Sequence, residues 1–128
     1  MSAFQITLVI VAVFIVFLYV RRMMLIRSVK QYAPEEVSQR RRDVNVILLD
    51  VRTQGERSGR HIKGSLHIPL QQLRRRIDDL KKHKNQEIIC YCQSGNRSLI
   101  AAGMLHKLGF NAAHMKGGIA EWNSRNLS

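Results

Sequence analysis

The stretch Cys92-Gln93-Ser94-Gly95-Asn96-Arg97-Ser98 lies between an apolar run, Glu87-Ile88-Ile89-Cys90-Tyr91, and a segment whose residues Leu99, Ala102, Leu105 and Leu108 recur at helical spacing. The run reads as a buried strand, the spacing as a helix, and the Ser/Gly/Asn cluster between them as the turn. Cys92 therefore stands at the carboxyl end of a strand, where open α/β sheets bind their ligands and where the N–H groups of the following helix point. A helix N-terminus or a neighbouring arginine lowers a thiol pKa of roughly 8.5 by one to several units, and Arg97 sits in the same loop. The pattern marks Cys92 as a nucleophile. Cys90 shares its face but has no Gly, Ser or Arg around it, and reads as core. A bridge between the two is not expected, because residues two apart in a strand lie near the upper limit of the ~4.4–6.8 Å Cα separation of disulfides.

Around this loop the chain resembles the rhodanese, or thiosulfate sulfurtransferase, family from about Tyr32 to Ser128. Four segments match in order: Leu48-Leu49-Asp50-Val51-Arg52 with Glu56 downstream; His61-Ile62-Lys63-Gly64-Ser65 leading to His67-Ile68-Pro69-Leu70; the Cys92 to Ser98 loop; and Lys116-Gly117-Gly118-Ile119-Ala120-Glu121-Trp122. The resemblance implies an α/β domain with a central parallel sheet flanked by helices and a catalytic cysteine that carries a persulfide. Three positions depart from the family pattern. Arg60 stands where Gly usually precedes His-Ile, Arg57 where an aromatic usually follows the acidic residue, and Lys63 where Pro is common. Arg57 and Arg60 are both expected near the surface.

Loop length separates two chemistries that share this architecture. Cysteine phosphatases of similar design place five residues between cysteine and arginine, enough to surround a phosphate, whereas Gln93 to Asn96 make four here. The tighter ring suits a single sulfur on Cys92. In a rhodanese-like mechanism the Cys92 thiolate takes the outer sulfur of a small anionic donor such as thiosulfate and passes it to a thiol, cyanide or sulfide acceptor. The backbone N–H groups of Gln93, Ser94, Gly95, Asn96, Arg97 and Ser98 would stabilise the anionic sulfur, Gly95 would supply the positive φ that brings them close, and Arg97 would brace the loop and balance charge. Asp50 and Arg52 end the preceding strand and are read as structural support, since a buried carboxylate must be satisfied. The second reading keeps the fold and makes the domain a low-turnover persulfide relay, or a docking module for a membrane sulfur-compound transporter or other partner.

Ala3 to Val20 carry no charge, and thirteen of these eighteen residues are Phe, Ile, Leu or Val. At about −0.3 to −0.6 kcal/mol each they favour insertion by roughly 4 to 8 kcal/mol. Eighteen residues at ~1.5 Å rise span about 27 Å, enough for a hydrocarbon core. A cleaved signal peptide would carry its positive charge before the apolar run, but here Arg21, Arg22, Arg27 and Lys30 follow it. A buried globular helix would show a polar stripe, and none interrupts the run. The expected organisation is a single transmembrane helix over 3–20, a basic juxtamembrane linker over 21–31 and the α/β domain over 32–128. By the positive-inside rule the N-terminus lies outside the cell membrane and the catalytic domain in the cytoplasm.

The net charge of +12, from 21 basic and 9 acidic residues, falls entirely after Val20. The juxtamembrane cations suit an anionic leaflet. Arg74-Arg75-Arg76 ride the polar side of a helix whose apolar face is Leu70, Leu73, Ile77 and Leu80. No aromatic residues interleave with the basic clusters, which argues against nucleic acid. The five histidines show no paired ligand spacing and two cysteines are too few for a zinc site, so neither a metal nor another cofactor is expected. Strands are expected near Val46–Leu49, Leu66–Ile68, Glu87–Tyr91 and Ala112–Met115, with a short helix begun by Pro34-Glu35-Glu36 and a linker over Ser28 to Ala33.

Overall fold

The computed structural model describes residues 1–128, the side chain at position 26 excepted. Five strands, β1 (Lys30–Tyr32), β2 (Val46–Asp50), β3 (Leu66–His67), β4 (Glu87–Tyr91) and β5 (Ala112–Met115), form one sheet in the order β1-β5-β4-β2-β3. Every pairing is parallel. Six α-helices accompany them: α1 (Ala3–Ser28), α2 (Pro34–Arg40), α3 (Gln54–Gly59), α4 (Leu70–Leu73), α5 (Asn96–Lys107) and α6 (Gly118–Ser124).

Parallel strands covered on both faces read as continuous apolar runs, and their alternating side chains split into two cores. On one face Leu49, Ile88, Cys90 and Ala112 pack with Leu99, Ala102 and Leu105 of α5 and with Leu73 of α4. On the other, Leu48, Ile89, Tyr91, Ala113 and Met115 pack with Val37 of α2 and with Ile119 and Trp122 of α6. Because all strands run the same way, the turns after β2, β4 and β5 meet at one edge of the sheet. That edge carries the chemistry.

Three local expectations are corrected. Residues 21–31 are not a linker: α1 continues unbroken to Ser28, and β1 opens two residues later, pairing Lys30, Gln31 and Tyr32 with Ala113, His114 and Met115. The single helix expected over Leu70 to Leu80 is two pieces, α4 and a 3-10 helix over Ile77–His83, parted by Arg76 at φ −105° and ψ 21°. The i,i+3 interval from Ile77 to Leu80 is the 3-10 repeat. Arg57 is not on the surface, since only 18% of its side chain is exposed and it bonds to Asp50 and Ser65.

The apolar part of α1 leaves the domain bare. Its N-terminus is closed by a capping box between Ser2 and Gln5, and side chains from Ala3 through Val20 are exposed. The helix is long and apolar enough to cross a membrane over Ala3–Leu25. Its last turns return to the domain, where Leu25 lies so close to Gly103 of α5 that a Cβ there would stand 2.3 Å from Leu25 Cδ1. The apolar helix is thereby joined to the domain by packing as well as by the chain.

Candidate active site

Tyr91 ends β4 and Cys92 begins the turn into α5. Gly95, at the helix N-cap, takes φ +110°, a left-handed conformation that side chains disfavour, and so turns its N–H back onto Cys92 Sγ at 3.0 Å. Ser98 Oγ, one turn into the helix, lies 3.6 Å from the same sulfur. Cys92 is buried, and burial pushes its thiol pKa up, but bonds from the Ser98 side chain and from the amides of Ser98, Gly95 and Ser94 more than offset this and hold it below the ordinary 9.0. Cys90 has no such donors, and burial drives its thiol far above that value. One cysteine sits among donors that favour its thiolate form, and the other has none.

The cradle is braced from behind by α6. Ile119 N–H donates to the Cys92 carbonyl at 2.9 Å and Ala120 N–H to the Gln93 carbonyl at 3.1 Å, so the first turn of one helix holds the loop that opens another. Gly118 makes that approach feasible. It sits at φ +62°, and a Cβ there would lie 2.4 Å from the Gln93 carbonyl oxygen and 2.5 Å from that of Cys92.

Asp50 is fully buried and fully bonded. Its Oδ1 accepts from Arg52 N at 2.9 Å and Nε at 3.1 Å; its Oδ2 accepts from Arg52 Nη2 at 3.0 Å, Arg57 Nη1 at 3.3 Å and Tyr91 Oη at 3.1 Å. Arg52 also reaches Gln93 Oε1 at 3.5 Å. The pair thus ties the end of β2 to the neighbouring strand and to the loop. Removing one partner from such a buried network typically costs ~3–5 kcal/mol, because the remaining charge stays unpaired.

Arg97 forms a fork with Glu56, both N···O distances being 2.7 Å, while its charge still acts on Cys92. Glu56 is itself fixed by a capping box with Thr53 at the start of α3. The bonds from Arg97 hold its carboxyl down at about 2. Arg97 therefore braces the loop against α3, with its charge shared with a carboxylate. Gln93, Ser94 and Asn96 are exposed at the rim, while Gly95 and Ser98 are buried.

Two residues of this site carried no role in the sequence reading. Glu56 belonged to a matched segment, and its signal was the Thr53-x-x-Glu56 capping pattern. His114 was set aside for lack of a metal-ligand partner. It lies on β5 opposite Cys90, is 5% exposed, and places Nδ1 3.2 Å from Ser98 Oγ. Burial, with Lys116 nearby, lowers its pKa to about 4 and keeps the ring neutral. Among the described residues no three of His, Cys, Asp and Glu group as a metal site.

The domain that carries this site is similar to known proteins. The model of the rhodanese-like domain matches residues 33–125. The chain is 34% identical over 122 residues to the uncharacterized protein YqhL of Bacillus subtilis (strain 168), covering 94% of each. It is 31% identical over 101 residues to a sulfurtransferase of Allochromatium vinosum, covering 77% of this chain and 92% of that one. The crystal structure of a rhodanese-related protein from Thermoplasma volcanium superposes with a TM-score of 0.72 at 26% identity, over 77% of this chain and 95% of that one.

Proposed function

This chain belongs to the rhodanese-like family, and from that premise we propose that it is a membrane-anchored sulfurtransferase that carries sulfane sulfur as a persulfide on Cys92. The observation that carries the proposal is the cradle itself: a buried sulfur that accepts from backbone N–H groups and from a hydroxyl, with its pKa lowered accordingly. Donors aimed at a sulfur favour the thiolate that attacks, and the persulfide anion that forms when an acceptor is awaited.

The Cys92 thiolate attacks the outer sulfur of a donor such as thiosulfate. A Cys92 S–S bond forms, the donor's S–S bond breaks, and sulfite leaves with the bonding pair. An acceptor thiolate, cyanide or sulfide then attacks the outer persulfide sulfur, and the electron pair returns to Cys92. The amides of Ser94, Gly95 and Ser98 hold the anionic sulfur through both steps. Gln93 and Asn96 border the rim at which donor and acceptor arrive, and Arg97, Asp50 and Arg52 keep the loop in place. Four residues between Cys92 and Arg97 leave a ring sized for one sulfur. The exposed apolar helix supports the anchor, because so large a bare apolar surface is stable only when covered. Arg21, Arg22, Arg27 and Lys30 support a cytoplasmic domain with the N-terminus outside.

Mass spectrometry after incubation with thiosulfate tests the reading. Wild type and Cys90→Ser gain the mass of one sulfur atom at residue 92 and form thiocyanate once cyanide is supplied; Cys92→Ser does neither. Equal loss in both folded variants would replace the persulfide with a two-thiol redox mechanism.

A further inference from the structure

Beside the sulfur cradle, a cavity of about 170 Å³ opens between the last turns of α1 and the loop that starts α5, lined among others by Arg22, Asn96, His114 and Lys116. Cys92 does not line it. The lining includes two cationic side chains and no carboxylate. Arg22 Nη2 donates to Asn96 Oδ1 at 3.1 Å, which holds the guanidinium across the opening with most of its five donors still to be used. Helix α5 presents its positive end here, with no side-chain cap and no acidic residue in its first turn.

The second observation is His114. The ring is 5% exposed and lines the cavity, its Nδ1 is 3.2 Å from Ser98 Oγ, and its Nε2 has no partner. A buried polar atom left unpaired costs about 1–3 kcal/mol, so such an atom points to something that fills the space. Two cations and a helix N-terminus around it select an anion over water alone. A neutral imidazole supplies the bond when its hydrogen sits on Nε2; Nδ1 then takes the single hydrogen of the Ser98 hydroxyl, which leaves Cys92 Sγ to its backbone donors.

We propose that this cavity is a binding site for a tetrahedral oxyanion of the phosphate type, either free in solution or carried by a lipid headgroup. Arg22 and Lys116 supply charge, His114 Nε2–H supplies direction, and Asn96 positions Arg22. Arg22 is a residue of α1 itself, so the site exists only where the apolar helix meets the domain. Its occupant lies three hydrogen bonds from Cys92 Sγ, through His114 and Ser98. The proposal stands whether or not Cys92 carries sulfur.

The full reduced chain with nitrogen-15 histidine, in nanodiscs of the phosphate-free lipid digalactosyldiacylglycerol at constant ionic strength, is titrated with inorganic phosphate while the His114 ring nitrogens are followed by NMR, assigned with His114→Gln. A saturable shift toward the Nε2–H form is expected. Arg22→Gln and Lys116→Gln, both at exposed positions, each weaken the phosphate dissociation constant by about tenfold, the worth of one charge-assisted hydrogen bond. In a second arm without phosphate, the same shift on adding phosphatidylglycerol to the discs, lost in the same variants, identifies the headgroup as the source. No shift in either arm, or a shift that both variants leave unchanged, would overturn the proposal.

Discussion

Replacing Gly118 by alanine is predicted to damage the site from a residue that never touches the sulfur. The new Cβ would stand 2.4 Å from the Gln93 carbonyl oxygen and 2.5 Å from that of Cys92, both backbone atoms, and the residue would be held at φ +62°. A side chain in the left-handed region costs about 1–2 kcal/mol, and forcing extra atoms into a packed interior about 1–3 kcal/mol more. The sum is roughly 2–5 kcal/mol. At ~4–8 °C per kcal/mol for a domain of this size, the midpoint of thermal unfolding should fall by roughly 10 °C or more. The relief of the clash is to push the loop off α6, which breaks the bonds from Ile119 and Ala120 N–H. The donors around Cys92 then lose their aim, and the pH midpoint for alkylation of Cys92 should rise toward that of a free thiol. Gly55→Ala is the control, with nothing within 4 Å of its Cβ and no left-handed φ. Circular dichroism melts of the detergent-solubilised chain and iodoacetamide rates across pH give both readouts. If Gly118→Ala melted together with Gly55→Ala, and its alkylation midpoint stayed in place, the α6 turn would not be what holds the loop.

Glu56→Gln should leave the fold intact, slow sulfur loading and reduce the acid dependence of stability. The Glu56 carboxyl is depressed to about 2 in the folded chain, so the Arg97 pair stabilises above the unfolded value near 4.5 and is lost as pH falls toward about 2, a slope that an amide cannot show in denaturant titrations. His114 works over a higher window. Its imidazole falls from 6.5 to about 4 on folding, so the unfolded chain takes up the proton first, and stability should drop by at most ~3 kcal/mol, at ~1.36 kcal/mol per pH unit, as pH falls from 6.5 through about 4. His114→Gln should remove that part of the slope, and an unchanged slope would assign it to other groups. In topology, a reporter fused after Ser128 should be active only in the cytoplasm and the chain should stay with membranes through an alkaline carbonate wash. Release of a shortened soluble chain outside the membrane would make the apolar segment a signal peptide.

What the sequence determined by itself is local. The β-branched run before Cys92, the helical spacing after it and the Gly-containing turn between are contacts among near neighbours, so strand, cradle and nucleophile are legible without a fold. The same holds for Pro34 opening α2 and for the uncharged run from Ala3 to Val20, whose physics depends on composition alone. Tertiary structure decided what distant segments do to one another. Lys30-Gln31-Tyr32 has no strand periodicity and becomes β1 only because the edge of β5 offers it backbone partners. Arg97 reads as a brace for the loop and a balance for the sulfur's charge, but only the fold shows what it braces against, by bringing Glu56, 41 residues away, to 2.7 Å. His114 gains meaning when β5 lies beside β4 and sets its ring against Ser98. Periodicity and turn chemistry are written in intervals of two to four residues, whereas electrostatic pairing depends on distance in space, which the chain reveals only after it has folded.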